Sequence, residues 1–161
     1  MTFKHCPDCG NELDKKEIGD EGLVPYCLLC KKPHFSFSYA CVLCVIINDN
    51  NEVGLIKQDY VSTTYVGVAG YLKQGETVEA CAKREVEEET GLQVIETRYY
   101  TSYYYEKKDL LMFGVICKVE KGEFNISEEV NDANWFSPEE AIEQVSNDTI
   151  KDMIKDYFQI L

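Results

Sequence analysis

Residues 70–92 read GYLKQGETVEACAKREVEEETGL, a loop of glycines and polar residues followed by a run at helical spacing. The pattern predicts a helix from Val78 to about Thr90. Thr77 is a residue type that caps helix N-termini, and Gly91 is the residue type that most often ends a helix. The stretch therefore predicts a loop, a helix and a second loop.

Three carboxylates crowd the last turns of this predicted helix. Glu85, Glu88 and Glu89 are spaced i, i+3 and i+4, so they project from one face. Like charges at this spacing repel by about 0.2–0.5 kcal/mol per pair, and the negative end of the helix dipole adds to the penalty. A bound cation would offset it, and carboxylate oxygens suit Mg²⁺ or Mn²⁺. The alternative is a solvated acidic face without a ligand.

The same stretch resembles the Nudix box, Gly-x5-Glu-x7-Arg-Glu-apolar-x-Glu-Glu-x-Gly-apolar. The residues at its fixed positions are Gly70, Glu76, Arg84, Glu85, Val86, Glu88, Glu89, Gly91 and Leu92. The resemblance extends from roughly residue 37 to the end of the chain. It implies an α/β fold, the Nudix α/β/α sandwich with a mixed sheet, and a hydrolase that acts on phosphorus-containing anhydrides.

The resemblance also implies roles for the residues of the box. The three helix glutamates would hold divalent ions, Mg²⁺ or Mn²⁺, against the diphosphate of the substrate. Gly70 would let the backbone approach that metal site closely. Arg84 and Glu76 would pair to fix the loop, which is a structural role.

Hydrolysis of a phosphoanhydride needs a base that takes a proton from the attacking water. Both histidines of the chain lie in its first 35 residues, so the base is expected to be a carboxylate, with Glu88 or Glu85 favoured. Nudix proteins also recruit a glutamate from outside the box. Glu129 is similar to that position and Glu128 is its neighbour; the alternative for both is a solvated loop acid.

Two Cys-x-x-Cys pairs stand near the N-terminus. Cys6 and Cys9 form the first, Cys27 and Cys30 the second, and 17 residues separate the pairs. Two such pairs present four thiolates, which complete a tetrahedral zinc shell. A redox or disulfide pair is the alternative. The segment between the pairs is polar, so zinc binding would supply the folding energy.

These patterns predict two domains, a four-cysteine zinc ribbon over residues 1–35 and a Nudix domain over residues 36–161. His5 and His34 lie beside the cysteine pairs and could serve as alternative ligands. Because four sulfurs already complete the shell, both histidines are interpreted as solvated side chains. The ribbon is nearly neutral, which favours a structural or dimerising role over a nucleic-acid reader.

The second predicted domain is rich in strands. A turn signal at Asn48 to Asn51 joins its first two strands. Ser137 is expected to cap a helix, and apolar residues from Ile150 to Leu161 at helical spacing predict a final helix that docks on the sheet. The predicted strands cover residues 39–48, 52–58, 63–69, 93–105 and 109–120, with a short strand ending at residues 133–136. Cys41 and Cys44 should face opposite sides of the first strand.

Composition limits the partners. A net charge of −13 argues against nucleic-acid binding, which depends on Lys and Arg neutralising phosphates. An acidic protein can still bind a phosphate substrate when divalent cations mask the repulsion. No apolar run approaches the roughly 20 residues of a membrane span, and the N-terminus lacks the apolar stretch of a signal peptide. We therefore expect a soluble, cytoplasmic protein without a membrane partner.

A four-cysteine ribbon followed by a Nudix domain resembles the NADH pyrophosphatase (NAD diphosphatase) subgroup. This implies a nucleotide-linked small-molecule substrate, NAD(H) or similar to ADP-ribose, and a homodimer. The subgroup's Ser-Gln-Pro-Trp-Pro-Phe-Pro-x-Ser signature is missing, because three tyrosines follow Ser102. Tyrosines between residues 99 and 105 could stack on a base or pack in the core. A nucleoside triphosphate pyrophosphatase, or a nucleotide-sensing module whose ribbon binds a partner, remain alternatives.

Overall fold

The computed structural model describes residues 3–60 and 62–160, which divide into two compact units. The first ends at Ser38 and the second begins at Tyr39. They are called the N-terminal unit and the C-terminal unit.

The N-terminal unit is a small antiparallel sheet with the order β1-β2-β3. Its strands are β1 (Asp14–Glu17), β2 (Leu23–Cys27) and β3 (Lys32–Pro33). Every residue of β1 is exposed. Among residues 3–38, the buried ones are Cys6, Val24, Cys27 and His34. A single aliphatic side chain is no hydrophobic core, so the thiols and their surroundings must stabilise this unit.

The C-terminal unit contains a six-stranded sheet and three α-helices. The strands are β4 (Tyr39–Asn48), β5 (Val53–Lys57), β6 (Val68–Tyr71), β7 (Val94–Tyr105), β8 (Leu110–Val119) and β9 (Asp132–Phe136). The helices are α1 (Val78–Thr90), α2 (Pro138–Gln144) and α3 (Asp148–Phe158). The order of the sheet is β7-β8-β4-β5-β9, with β6 paired to β4. Among the described strands, β4 and β8 pair in parallel and the other pairs of this sheet are antiparallel, so the sheet is mixed.

Two hydrophobic clusters cover opposite faces of this sheet. Cys41 of β4 lies in the cluster that contains the buried residues of α2 and α3. Cys44 lies in the cluster that contains the buried residues of α1. The alternation of β4 thus places one helical layer on each face. The expected α/β/α sandwich is confirmed, and so is the prediction that Cys41 and Cys44 face opposite sides.

The third strand lies further along the chain than its sequence pattern predicted. The prediction covered residues 63–69, whereas β6 spans Val68–Tyr71. Val66 instead forms an isolated bridge with Ile56 of β5. The chain changes partner from β5 to β4 at Gly67, where a Cβ atom would lie 2.4 Å from the carbonyl oxygen of Cys44. This tertiary contact, rather than β-propensity, sets the start of the strand.

The helix boundaries follow the capping signals of the sequence. α1 begins after Thr77 and ends at Gly91, which has a left-handed conformation with φ of 71°. Ser137 caps α2 in a capping box with Glu140. α3 buries the predicted apolar face, although Leu161 lies outside the described residues. In the described part of the chain, no helix combines the length and the apolar character needed to span a bilayer.

Thr77→Ala is expected to destabilise the C-terminal unit by about 1 kcal/mol, because the Thr77 hydroxyl accepts a hydrogen bond from the backbone N–H of Ala80 at 3.2 Å. Urea denaturation followed by circular dichroism measures the change. Thr77→Ser keeps the accepting oxygen and should stay close to the wild type. Equal destabilisation of both variants would show that the cap contributes nothing.

Candidate functional site

Three carboxylates of α1 lie on one side of its C-terminal end at different depths. The side chain of Glu85 is 14% exposed and that of Glu88 is 54% exposed. Glu89 is buried, with 6% of its surface exposed. The helical spacing therefore brings the three acids together, while the surrounding loops determine how much water each one meets.

Arg84 ties these acids to the loop that precedes the helix. Its guanidinium binds both oxygens of Glu76, from Nε at 2.5 Å and from Nη2 at 2.8 Å. Nη1 donates to Glu85 at 2.6 Å and to Glu88 at 3.1 Å. The backbone N–H of Lys73 also donates to Glu76 at 2.8 Å, so this carboxylate closes the loop. Arg84 thus neutralises part of the charge on α1 while it fixes the loop.

Gly70 makes room for the acid cluster. A Cβ atom at this position would lie 1.9 Å from Cδ of Glu85 and 2.1 Å from one of its carboxylate oxygens. Any side chain at residue 70 would therefore displace Glu85. The close approach of the β6 backbone to this carboxylate explains why glycine is required here.

Glu89 has no cationic partner among the described residues. Burial, together with the negative charges of Glu85 and Glu129, raises the pKa of Glu89 to about 7. In the described part of the chain, the side chain that hydrogen-bonds to it is the amide of Gln58, whose Nε2 donates at 3.4 Å. A buried carboxylate with a pKa this high is only partly ionised at neutral pH, so a nearby cation would stabilise its charged form.

A loop after β8 brings a fourth carboxylate to the cluster. The backbone N–H of Ser127 donates to the carbonyl oxygen of Glu89 at 3.1 Å, and that of Asn125 donates to the carbonyl oxygen of Thr90 at 2.9 Å. These bonds tether the loop to the end of α1. Glu129 is exposed, and its charge contributes to the raised pKa of Glu89.

A cavity of about 560 Å³ adjoins the acid cluster. Gly70, beside Glu85, and Gln58, beside Glu89, both line it. The cavity also has an aromatic wall and one lysine, and the N-terminal residues of α3 border it. Its aromatic and cationic side chains are Tyr60, Tyr71, Tyr103, Tyr105 and Lys108. Tyr103 and Tyr105 reach it together because they are two residues apart on β7.

The sequence did not identify Gln58, Tyr60 or Lys108 as residues of a site. Gln58 and Tyr60 come from the residues directly after β5, and Lys108 comes from the turn between β7 and β8, so only the fold brings them together. The sequence contains only a weak indication of this site, at Gln58. Gln58 is a polar residue at the end of an apolar predicted strand, and it is 5% exposed in the folded unit.

The acid cluster fits a divalent cation by its chemistry, since it offers hard oxygen donors and excess negative charge. The carboxylate oxygens of this cluster do not lie close enough together to bind one ion in their present positions. Within the described ranges, the only groups of three or more candidate ligand atoms closer than 4.8 Å to one another lie in the N-terminal unit. The guanidinium of Arg84 lies between Glu85 and Glu88. Ion binding would therefore require these side chains to rearrange.

The four ribbon sulfurs already have the spacing of a metal shell. Those of Cys6 and Cys30 are 3.9 Å apart, and those of Cys9 and Cys27 are 3.5 Å apart. A zinc tetrahedron with bonds of about 2.3 Å has edges of about 3.8 Å. The backbone N–H of Cys30 donates to the sulfur of Cys27 at 3.3 Å and lowers the pKa of this thiol to about 7. The donor set fits zinc.

His34 is buried, although its sequence position led to the interpretation of a solvated side chain. It is 9% exposed, and its Nε2 lies 3.4 Å from the sulfur of Cys6. The interpretation was wrong because the backbone N–H of His34 donates to the carbonyl oxygen of Pro25 at 2.8 Å, which holds the ring inside the unit. His5, in contrast, is exposed.

Glu76→Gln is expected to destabilise the C-terminal unit at neutral pH, because it removes the charge that Arg84 binds. The hydrogen bonds from Arg84 lower the pKa of Glu76 from 4.5 to about 2. A lowered pKa in the folded state gives stability that is present above about pH 5 and is lost as the pH falls towards about 2. The gap between the urea midpoints of wild type and variant should shrink over this window.

The matched control is Glu143→Gln, which changes an exposed carboxylate on α2. We expect this variant to follow the wild type at every pH. A gap for Glu76→Gln that is the same at pH 7 and at about pH 3 would contradict a charge-based role for the pair.

Comparison with known proteins agrees with this geometry. The NUDIX domain model matches residues 39–157. The NAD-capped RNA hydrolase NudC of Vibrio parahaemolyticus is 28% identical over 141 residues, which cover 87% of this chain and 53% of that protein. NudC of Pseudomonas aeruginosa is 32% identical over 136 residues, 83% of this chain and 48% of that protein. The chain spans about half the length of these curated relatives.

Solved structures show the same fold. A NUDIX hydrolase from Nitrosomonas europaea superposes with a TM-score of 0.79 at 24% sequence identity, and the superposition covers 98% of this chain and 91% of the other. The family model covers more than half of the chain, and the whole box lies within the matched residues. The chain belongs to the NUDIX domain family.

Proposed function

We propose that the chain is a pyrophosphohydrolase that depends on Mg²⁺ or Mn²⁺ and cleaves a phosphoanhydride in a nucleoside-diphosphate-linked substrate. The NAD(H) or ADP-ribose type is the substrate that we favour. The observation that carries this proposal is the buried carboxylate of Glu89, which lies among other carboxylates and accepts a hydrogen bond from Gln58, a residue that lines a cavity of ligand size.

The acid cluster is the proposed catalytic centre. Glu85, Glu88 and Glu89 would hold the divalent ions, with the Gly70 backbone close to them. When bound, these ions neutralise phosphoryl charge and lower the pKa of a water ligand. The raised pKa of Glu89 supports this role, because a cation is what would keep this carboxylate charged.

A carboxylate of this chain would accept the proton of the attacking water. We favour Glu88, because it is the most exposed of the three helix glutamates and can reach a water molecule. Glu85 is largely shielded and held by Arg84, and Glu129 remains a candidate because the loop after β8 brings its charge to Glu89. Arg84 and Glu76 keep the loop in place and take no part in proton transfer.

The cavity is the proposed site for the nucleoside part of the substrate. Its volume of about 560 Å³ is within the range of about 300–1,000 Å³ that ligand pockets occupy. Tyrosine rings can stack on a base, and Lys108 can pair with a phosphate oxygen. The cavity meets the acid cluster at Gly70 and Gln58, so a base in the cavity leaves the diphosphate near the carboxylates.

The relatives support a substrate of the NAD type. Their name assigns to them the hydrolysis of NAD-capped RNA. For this chain we propose the small-molecule dinucleotide, since a net charge of −13 opposes binding of an RNA strand. A homodimer is part of the proposal, on the basis of the subgroup resemblance, and light scattering would measure it.

The N-terminal unit is proposed to be a structural zinc ribbon held by Cys6, Cys9, Cys27 and Cys30. The four sulfurs have the mutual spacing that zinc requires. We propose that this ribbon covers residues 1–35 and that residues 36–161 carry the hydrolase activity.

Glu88→Gln is expected to lower the turnover of NADH with Mg²⁺ by on the order of 10²-fold or more, because an amide can neither accept the proton nor bind the ion as a carboxylate does. Product release measured by chromatography gives the rate, and circular dichroism confirms folding. Glu79→Gln, an exposed residue on the first turn of α1, should keep wild-type turnover. Unchanged turnover in Glu88→Gln would remove this residue from the mechanism.

A product-resolved screen is expected to give the highest turnover with dinucleotides or ADP-ribose, because their second nucleoside or ribose can extend beyond the diphosphate. The panel contains NADH, ADP-ribose, a dinucleoside polyphosphate, nucleoside triphosphates and an NAD-capped oligoribonucleotide. Turnover of triphosphates alone would favour a house-cleaning pyrophosphatase. Tight binding of nucleotides without turnover under either metal would favour a regulatory module.

A further inference from the structure

His34 occupies an unusual place in the N-terminal unit, because it is a polar side chain buried where little else is buried. Its exposed fraction is 9%, and the ring lies edge-on to Phe3 with centroids 5.9 Å apart. Phe3 in turn stacks on Phe37 at 5.1 Å. These contacts, with the backbone hydrogen bond to Pro25, fix the imidazole in one orientation. The function of the chain proposed above does not use this residue.

The ring nitrogen Nε2 points at one sulfur of the cysteine cluster. It lies 3.4 Å from Sγ of Cys6, a distance that suits an N–H···S hydrogen bond. Cys6 is itself buried, with 2% of its surface exposed, so water cannot solvate its thiolate. A buried charged acceptor needs donors in place of water. The backbone N–H groups of Asp8 and Cys9 supply two hydrogen bonds to this sulfur, and the imidazole N–H would add a donor from a side chain.

The geometry distinguishes a donor from a ligand. The four sulfurs form one group with all ligand atoms within 4.8 Å of one another. Among the described residues, the candidate ligand atoms that lie this close to the His34 ring are those of Cys6 and Asp8, and the other three cysteines are not among them. The imidazole therefore lies outside the four-sulfur shell, against a single corner. Four sulfurs complete a structural zinc site, so no fifth ligand is needed.

Asp8 places a negative charge beside the Cys6 sulfur. Its Oδ2 lies 3.9 Å from Sγ of Cys6, and this carboxylate is paired with the ammonium of Lys32. A thiolate beside a carboxylate experiences repulsion, which the charge of Lys32 partly relieves for both groups. The N–H of His34 would relieve it further by a hydrogen bond to the sulfur.

We propose that His34 is a positioning residue of the zinc ribbon, whose Nε2–H donates a hydrogen bond to the zinc-bound thiolate of Cys6. The inference rests on the zinc site proposed above. The bond withdraws electron density from the sulfur and holds the Cys6 side chain in place, as outer-shell partners of metal ligands do.

The test uses the full-length chain loaded with Co²⁺ or Zn²⁺. Loss of the donor in His34→Phe should make the Cys6 thiolate more electron-rich, so the sulfur-to-cobalt charge-transfer band should move to longer wavelength. Cobalt held by carboxylates does not contribute, because this band needs sulfur ligands. The zinc dissociation constant, from competition with a chromophoric chelator, should rise about 10-fold or more.

Two further variants separate hydrogen bonding from packing. His34→Gln can place an amide N–H near the position of Nε2, so it should restore most of the band position and the affinity. His5→Phe changes the other histidine of the ribbon, which is exposed and next to Cys6 in sequence, and it should behave as the wild type. Loss of affinity in His34→Gln equal to that in His34→Phe would overturn the hydrogen-bond role.

The remaining outcomes are also decisive. An unchanged band and unchanged affinity in His34→Phe would overturn the inference. A change in the cobalt d–d spectrum that shows replacement of a nitrogen ligand would do so as well, because His34 would then be a ligand. If the wild type binds no zinc or cobalt through sulfur, the zinc site itself fails, which is distinguishable because no charge-transfer band appears in any variant.

Discussion

Repulsion between carboxylates at the C-terminal end of α1 is the constraint on which the candidate site depends. Glu85, Glu88 and Glu89 occupy the end of the helix where the dipole already disfavours negative charge. Arg84 compensates two of them, and within residues 3–60 and 62–160 Glu89 has no cationic partner. A helix with this arrangement is less stable than one with lysines in the last turn. The arrangement is explained when the helix serves to hold a cation.

The surrounding fold converts this charged helix end into a site. α1 packs on one face of the sheet, and the adjacent β6 backbone approaches so closely that only glycine fits at residue 70. The loop after β8 is tied to the end of α1 by backbone hydrogen bonds and supplies Glu129. The residue after β5 and strand β7 supply Gln58 and two tyrosines to the cavity. Elements distant in sequence thus form the acid cluster and the cavity.

The N-terminal unit also crowds groups that repel one another when ionised, with thiols in place of carboxylates. Four thiols lie closer together than unpaired thiolates would tolerate, and the hydrogen bond that the Cys30 thiol donates to Cys9, together with burial, raises the pKa of Cys30 to about 12. A cation would relieve this crowding, as it would in the acid cluster. The two clusters differ in how well their ligand atoms are positioned for an ion. The four sulfurs already have the spacing of a metal shell, whereas Arg84 lies between two of the carboxylates.

The sequence alone determined the features that depend on local spacing. The limits of α1, its caps, the convergence of three glutamates and the two cysteine pairs all follow from residues within a few turns of one another. The tertiary structure decided the depth of each carboxylate, the displaced start of β6, the burial of His34 and the composition of the cavity. These properties depend on contacts between residues far apart in the chain, and local spacing carries no information about which surface will be covered by another element.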